Sequence, residues 1–324
     1  MPMIFIILSN GYANPVGTDS TLVKKGWIKE ISFPGLQRVD DVTDDSVSFI
    51  LPFSRAGNLI LIKAKADSTE GNFILDTGCP GLVLNITYFR HYPRTSEPGA
   101  ENTGVNGVSA ALEHTIVKNF YRGGLNQDNI KADFANLGAI ENSKGIKILG
   151  LVGMEFLRNS EMIIDYEKSL IYFHIIGKKK MENYKHEMLN DTAAYQTIPF
   201  EITDNRIIVR TALQGKKLKL VIDCAAEINM LDSRLPDKIF DKVDITGTVL
   251  LAGVGNKKVE ALTGNLSDFI IGNRTISSMP VLITNLEKTC FSHGGCVDGV
   301  LGFNFLSLQK IGFNFVTRKM FIWK

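Results

Sequence analysis

The sequence predicts an all-β protein of two pseudo-symmetric lobes, and three observations predict it. The 324 residues include 29 glycines and a succession of short apolar runs bounded by turn residues, with few long amphipathic stretches. The length suits two domains of roughly 150 residues each. Two independent pairs of elements recur at nearly the same offset, which is the mark of a chain written twice.

The first pair is a small-residue element followed by two closing strands. Val152–Leu157 (VGMEFL) precedes Ile163–Tyr166 and Leu170–Phe173, and Leu301–Leu306 (LGFNFL) precedes Ile311–Phe315 and Met320–Trp323. Gly153 to Asp165 is 12 positions, as is Gly302 to Asn314. The second pair lies upstream, where Phe73–Cys79 (FILDTGC) matches Leu220–Ala226 (LVIDCAA). Asp76 and Asp223 are 147 apart, and Gly153 and Gly302 are 149 apart. The copies are placed at 46–177 and 196–324. Between them, 178–195 is charged and aperiodic and reads as a solvated linker with a helical turn or two. Within each copy an apolar strand (Leu59–Lys65, Arg206–Leu213) precedes the aspartate-bearing one. Gly104–Gly107 and Gly253–Asn256 suit hairpin tips, and Glu155–Arg158 and Asn304–Ser307 suit one short helix each.

Composition narrows the classes of partner. Lys and Arg number 36 against 34 Asp and Glu, a formal charge of +2. With no basic stripe carrying interleaved aromatics, this argues against a nucleic-acid partner. An apolar fraction of 44% and a charged fraction of 22% suit a packed globular chain. No run approaches the ~18 apolar residues of a membrane span, and the expected state is a monomer. Residues 1–13 read as the remnant of a signal peptide, since a short apolar run ends at the small residues Gly11 and Ala13; an ordinary buried strand is the alternative. Residues 14–45 form an N-terminal segment, either a removable propeptide or the first strand of a sheet between the lobes. Cys290 and Cys296 frame a tight small-residue loop. A local disulfide suits it, with free thiols and a Cys-x2-His-x2-Cys zinc loop through His293 as alternatives. The disulfide reading favours a secreted or periplasmic protein over a cytoplasmic one. The five histidines, at 91, 114, 174, 186 and 293, fall in no motif.

The chemistry rests on two aspartates. Asp76 and Asp223 each stand where an apolar strand gives way to small residues: Thr77 and Gly78 after the first, Cys224 and Ala225 after the second. A strand end holds its side chain rigidly, and small residues let a second such loop approach. Equivalent points on two related copies can meet at the pseudo-symmetry axis. Two carboxyls meeting there do not both ionise near neutral pH, which leaves one acid and one base facing a single water. A Thr hydroxyl and an unobstructed Gly N–H beside Asp76, against Cys224 and Ala225 beside Asp223, predict that Asp223 is the protonated acid and Asp76 the base.

The apolar strand ending in Asp76–Thr77–Gly78, the following Leu82–Leu84, the glycine-bearing hairpin, Leu151–Gly153 and the closing Ile163–Tyr166 resemble the retropepsin-like and pepsin-like aspartic protease family. The second copy is similar but less strict, and the likeness spans most of 46–324. It implies two aspartic-protease-like β-barrel lobes with a cleft between them, catalytic Asp76 and Asp223, and no metal or other cofactor. It also implies a peptide or protein substrate, hydrolysed by an endopeptidase mechanism in which Thr77 braces the loops. The hairpin tips Gly104, Val105, Asn106, Gly107 and Gly253, Val254, Gly255 would act as flaps. The family expects Asp-Thr/Ser-Gly in both copies, and neither tip carries a tyrosine. Cys224 is a weaker cross-loop donor than Thr, and Ala225 is strained if its φ is positive. A catalytically silent, protease-shaped peptide-binding protein is therefore the alternative function.

Overall fold

The computed structural model describes residues 47–104, 107–176, 187–252, 258–287, 290 and 296–324. Lobe 1 contains β1 (Val47–Pro52), β2 (Ser54–Ala56), β3 (Leu59–Ala66), β4 (Thr69–Leu75), β5 (Leu82–Asn85), β6 (Thr95–Gly104), β7 (Gly107–Arg122), β8 (Leu125–Ala135), α1 (Gly138–Lys144), β9 (Gly150–Val152), β10 (Ser160–Asp165) and β11 (Leu170–Ile175). Lobe 2 contains β12 (Tyr195–Thr203), β13 (Arg206–Leu213), β14 (Lys216–Ile222), β15 (Asn229–Asp232), α2 (Asp237–Phe240), β16 (Val243–Ala252), β17 (Lys258–Ile271), β18 (Arg274–Thr284), β19 (Gly299–Leu301), α3 (Phe303–Leu306), β20 (Ile311–Asn314) and β21 (Lys319–Trp323). The expected segments 1–13 and 14–45 and the first part of the linker lie outside the described residues.

Each lobe closes a six-stranded barrel in the same order. In lobe 1 it runs β3-β4-β9-β5-β8-β7, with β7 returning to β3; in lobe 2 it runs β13-β14-β19-β15-β18-β17, with β17 returning to β13. The all-β, two-lobed fold is as the sequence predicts. Strands near the aspartates read as unbroken apolar runs because both their faces are covered. Ile60 and Ile62 of β3, with Phe73 and Leu75 of β4, pack into a large core, while Leu59, Leu61 and Ile74 pack into a second one. β14 divides likewise, Leu220 and Ile222 to one side and Val221 to the other.

The lobes are joined by a sheet of six strands in the order β1-β11-β10-β20-β21-β12. Its centre is the antiparallel pairing of β10 with β20, Glu161 opposite Asn314 through Ile164 opposite Ile311. Phe173, Met162, Phe313, Met320 and Ile198 on one face of this sheet belong to a core that runs through both lobes. The end of the predicted linker is more ordered than its charge suggested. Glu187–Leu189 form a 3-10 turn, and Leu189 is buried with Tyr195 and Phe321. The two short helices occur one residue earlier than expected, as the 3-10 turn Met154–Phe156 and as α3.

Candidate active site

Asp76 and Asp223 follow directly on β4 and β14, and both are 0% exposed. The same scaffold holds each. β4 pairs in parallel with β9 and β14 with β19, so the Asp76 N–H donates to Val152 O and the Asp223 N–H to Leu301 O, both at 3.0 Å. Behind each loop a glycine makes the close approach possible. A Cβ on Gly153 would lie 2.3 Å from Cys79 O, and one on Gly302 would lie 2.3 Å from Ala226 O.

The loops meet and brace each other. The Thr77 hydroxyl donates to Ile222 O at 3.0 Å and accepts from the Cys224 N–H at 3.0 Å. The return contact is made by sulfur, with Cys224 Sγ 3.1 Å from Leu75 O. The thiol thus occupies the position a second Thr hydroxyl would take. Ala225 has no positive φ, so the anticipated strain is absent; its N–H donates to Asp223 Oδ1 at 2.8 Å, just as Gly78 N–H donates to Asp76 Oδ1 at 2.8 Å. The donor in both loops is backbone, and the methyl group leaves it unobstructed.

The carboxyls are within hydrogen-bonding reach of one another. Neither Oδ2 has a donor if both are ionised, and one shared proton supplies it. Burial, then the charge of Asp223, raises Asp76 well above the ordinary carboxyl range. Burial also raises Asp223, to about 7; backbone N–H groups favour the ionised form of both carboxyls, Gly78 and Cys79 at Asp76 and Ala225 and Ala226 at Asp223, while the Arg206 charge favours it at Asp223. The two carboxyls titrate as one coupled pair, with the Arg206 charge on the Asp223 side favouring ionisation there. The assignment of the proton to Asp223 from neighbouring side chains compared Gly78 with Ala225, whose backbone donors are equivalent, and missed Arg206. This arginine is 4% exposed and stands where lobe 1 has Leu59, at the same distance of 17 residues before its aspartate.

Tyr166 also escaped the sequence reading. It is the counterpart of Phe315, and its ring packs edge-on at 5.9 Å from Phe53 and 5.6 Å from Phe303. Its hydroxyl is buried beside Cys224 and Asp223 without a hydrogen-bond partner. Burial first, and then the Asp223 charge, push its pKa upward and keep it protonated. Cys79 and Cys224 are buried free thiols, both held protonated, first by burial and then by the aspartates. Cys290 and Cys296 form a disulfide, so the zinc and free-thiol alternatives for that loop are corrected; His293 lies outside the described residues. Of the hairpin tips, Gly104 pairs with Gly107 at the end of β6 and β7, while Val105, Asn106, Gly253, Val254 and Gly255 lie outside the described residues. At the base of the second hairpin Leu251 and Ala261 pack in one cluster with Ala226 of the Asp223 loop.

A family model described as Aspartyl protease matches residues 209–305, the stretch that carries Asp223. That stretch is aspartic-protease-like. The chain is also similar to the crystal structure of Basic 7S globulin from soybean, with a TM-score of 0.44 and 10% identity, over 86% of this chain and 94% of that one. No curated protein matches its sequence. Among the described residues, no helix is long and apolar enough to cross a membrane.

Proposed function

We propose that the protein is an aspartic endopeptidase in which Asp76 and Asp223 activate one water. The observation that carries this reading is the meeting of two fully buried aspartates from equivalent strand ends, close enough to share a proton. Ionised Asp223 accepts a proton from the water as its oxygen attacks the scissile carbonyl carbon. Protonated Asp76 donates to the carbonyl oxygen as negative charge develops there. Collapse of the tetrahedral species breaks the C–N bond, and the leaving nitrogen takes the proton that Asp223 received. Thr77 and Cys224 hold the loops in register, and Gly78 and Ala225 supply the N–H groups that orient the carboxyls. The equivalent strand orders of the two barrels support an internal duplication, and the Cys290–Cys296 disulfide supports a secreted or periplasmic setting. A polypeptide substrate would lie between the lobes of a monomer, with the Gly104–Gly107 hairpin over it.

The binding-only alternative rests on Cys224 and Ala225. The Sγ contact to Leu75 and the Ala225 N–H contact to Asp223 weigh against it, since the two replacements keep the contacts the loop needs. Incubation with a diverse peptide library tests the reading. Cleavage by the parent, blocked by a transition-state-mimicking inhibitor and lost in Asp76→Asn with an unchanged folded signal, is the expected result. Cleavage that survives in Asp76→Asn would remove the dyad from the mechanism.

A further inference from the structure

The loop that carries Asp223 is also gripped by lobe 1 beyond the cross-brace between the two loops. Glu227, four residues past Asp223, is 5% exposed. Lys144 Nζ, at the C-terminal end of α1, donates to both its carboxylate oxygens at 2.6 and 2.7 Å. The Asn58 backbone N–H donates to Oε1 and its Nδ2–H to the Glu227 carbonyl, each at 3.2 Å. These partners come from 83 and 169 residues away. The space around the pair is also prepared. Gly57 turns with φ +62°, and a Cβ there would lie 2.9 Å from Glu227 Oε1 and 3.0 Å from Lys144 Nζ. A glycine thus supplies both the left-handed turn and the room for the ion pair.

The grip is one-sided. Four residues past Asp76 stands Pro80, which has no side-chain polar group to offer lobe 2. The loop that receives the extra attachment is the one in which Thr and Gly are replaced by Cys224 and Ala225. An ion pair with each member largely removed from water is directional and resists rearrangement, which makes it suited to fixing register.

We propose that Glu227 is a positioning residue: pinned by Lys144 and Asn58, it sets how closely the Asp223 loop approaches Asp76. This rests on the peptidase reading of the dyad. It predicts that releasing Glu227 loosens the spacing of the carboxyls, weakens their mutual influence and slows the chemical step without affecting substrate binding.

The test uses the full chain with Lys144→Met and Glu227→Gln together, which removes the pair without stranding a buried charge; Glu227→Gln alone is the second variant. Phe269→Leu, a core change in lobe 2, controls for general destabilisation. Two readouts are taken: kcat and KM on a cleaved peptide, and titration of 13C-labelled aspartate carboxyls, with the dyad signals assigned through Asp76→Asn and Asp223→Asn. The expected result is a fall in kcat of about tenfold or more with KM within about twofold, together with dyad titration steps that draw closer than in the parent or in Phe269→Leu. Titration steps and kcat that follow the Phe269→Leu control would overturn the proposal. If the parent cleaves nothing, the peptidase reading fails, and the carboxyl titration alone decides the clamp: steps drawn together support it, unchanged steps refute it.

Discussion

Replacing Asp223 by Asn should change how stability depends on pH, in a direction opposite to that of an ordinary salt-bridged carboxyl. Asp223 rises from 3.8 to about 7 on folding, so the folded chain binds a proton that the unfolded chain has already lost. The stability associated with that proton is fully present below about pH 4 and is lost as pH rises through about 7. At 1.36 kcal/mol per pH unit, the loss across that window is on the order of 4 kcal/mol, shared with Asp76 because the pair titrates jointly. Asp223→Asn carries no charge to lose, and it also relieves Asp76 of a repelling neighbour. Its stability should therefore fall much less between these limits, and it should be the more stable form at neutral pH. Two other groups act in the opposite sense. Asp232, where Arg234 hydrogen bonds outweigh the burial cost, and Glu201, bonded by Arg210, are held below their ordinary values of 3.8 and 4.5. They add stability as pH rises, but only below about pH 4.5. Urea unfolding of parent and variant at fixed pH values between about 4.5 and 8 isolates the dyad. A parent whose stability is flat or rising across this range would show that the carboxyls are not held protonated, and the shared-proton argument would fail.

Tyr166→Phe removes a buried hydroxyl that has no partner and should stabilise the fold by about 1 kcal/mol in the same unfolding assay. Gly153→Ala and Gly302→Ala each press a methyl group against a carbonyl oxygen 2.3 Å away. Each should cost on the order of 2 kcal/mol or more and displace the dyad, read as lower unfolding midpoints with cleavage sharply reduced. Cys224→Thr exchanges a thiol for a hydroxyl toward Leu75 O and should gain about 0.5–1 kcal/mol. Ala225→Gly should instead cost roughly 1–2 kcal/mol, because φ at 225 is not positive, the buried methyl packs with Leu59, Leu61 and Ile74, and the unfolded chain gains freedom. Denaturation of the two single variants separates these opposite signs.

Features written locally were legible in the sequence. An apolar strand ending in an aspartate and small residues, and an apolar pair followed by glycine 77 or 79 positions later, located both dyad loops and their supports. Contacts between lobes were not, beyond the cross-loop brace expected of Thr77. Arg206 looks like an ordinary strand-start arginine until the fold places it near Asp223, where its charge favours the ionised carboxyl. Glu227, Lys144 and Asn58 belong to no motif, because their relation exists only across the interface. The tie between Arg158 and Asn205, and the Arg55 guanidinium 5.5 Å above the Phe303 ring, are of the same kind. Leu189 was read as part of a wet linker because its neighbours are charged, and it is buried by Tyr195 and Phe321, which only tertiary packing brings over it. Side-chain identity alone does not assign the shared proton, for a related reason: the groups orienting the carboxyls are backbone N–H groups, which one-letter sequence does not distinguish.

The parallel pairings behind the aspartates also govern when a new molecule can acquire chemistry. Phe73 of β4 lies beside Gly150 of β9, and Leu220 of β14 lies beside Gly299 of β19, so each aspartate waits for a strand that follows some 77 to 79 residues later. Long-range closures of this type form slowly and late. Until both are complete, the two carboxyls are ordinary, separately titrating acids on a loose chain, with neither the burial nor the proximity that sets them apart. On the peptidase reading, a nascent chain is thus harmless to itself and to its neighbours during synthesis. The reverse holds for loss of structure: opening either parallel pair breaches its barrel and separates an aspartate from its support in the same event.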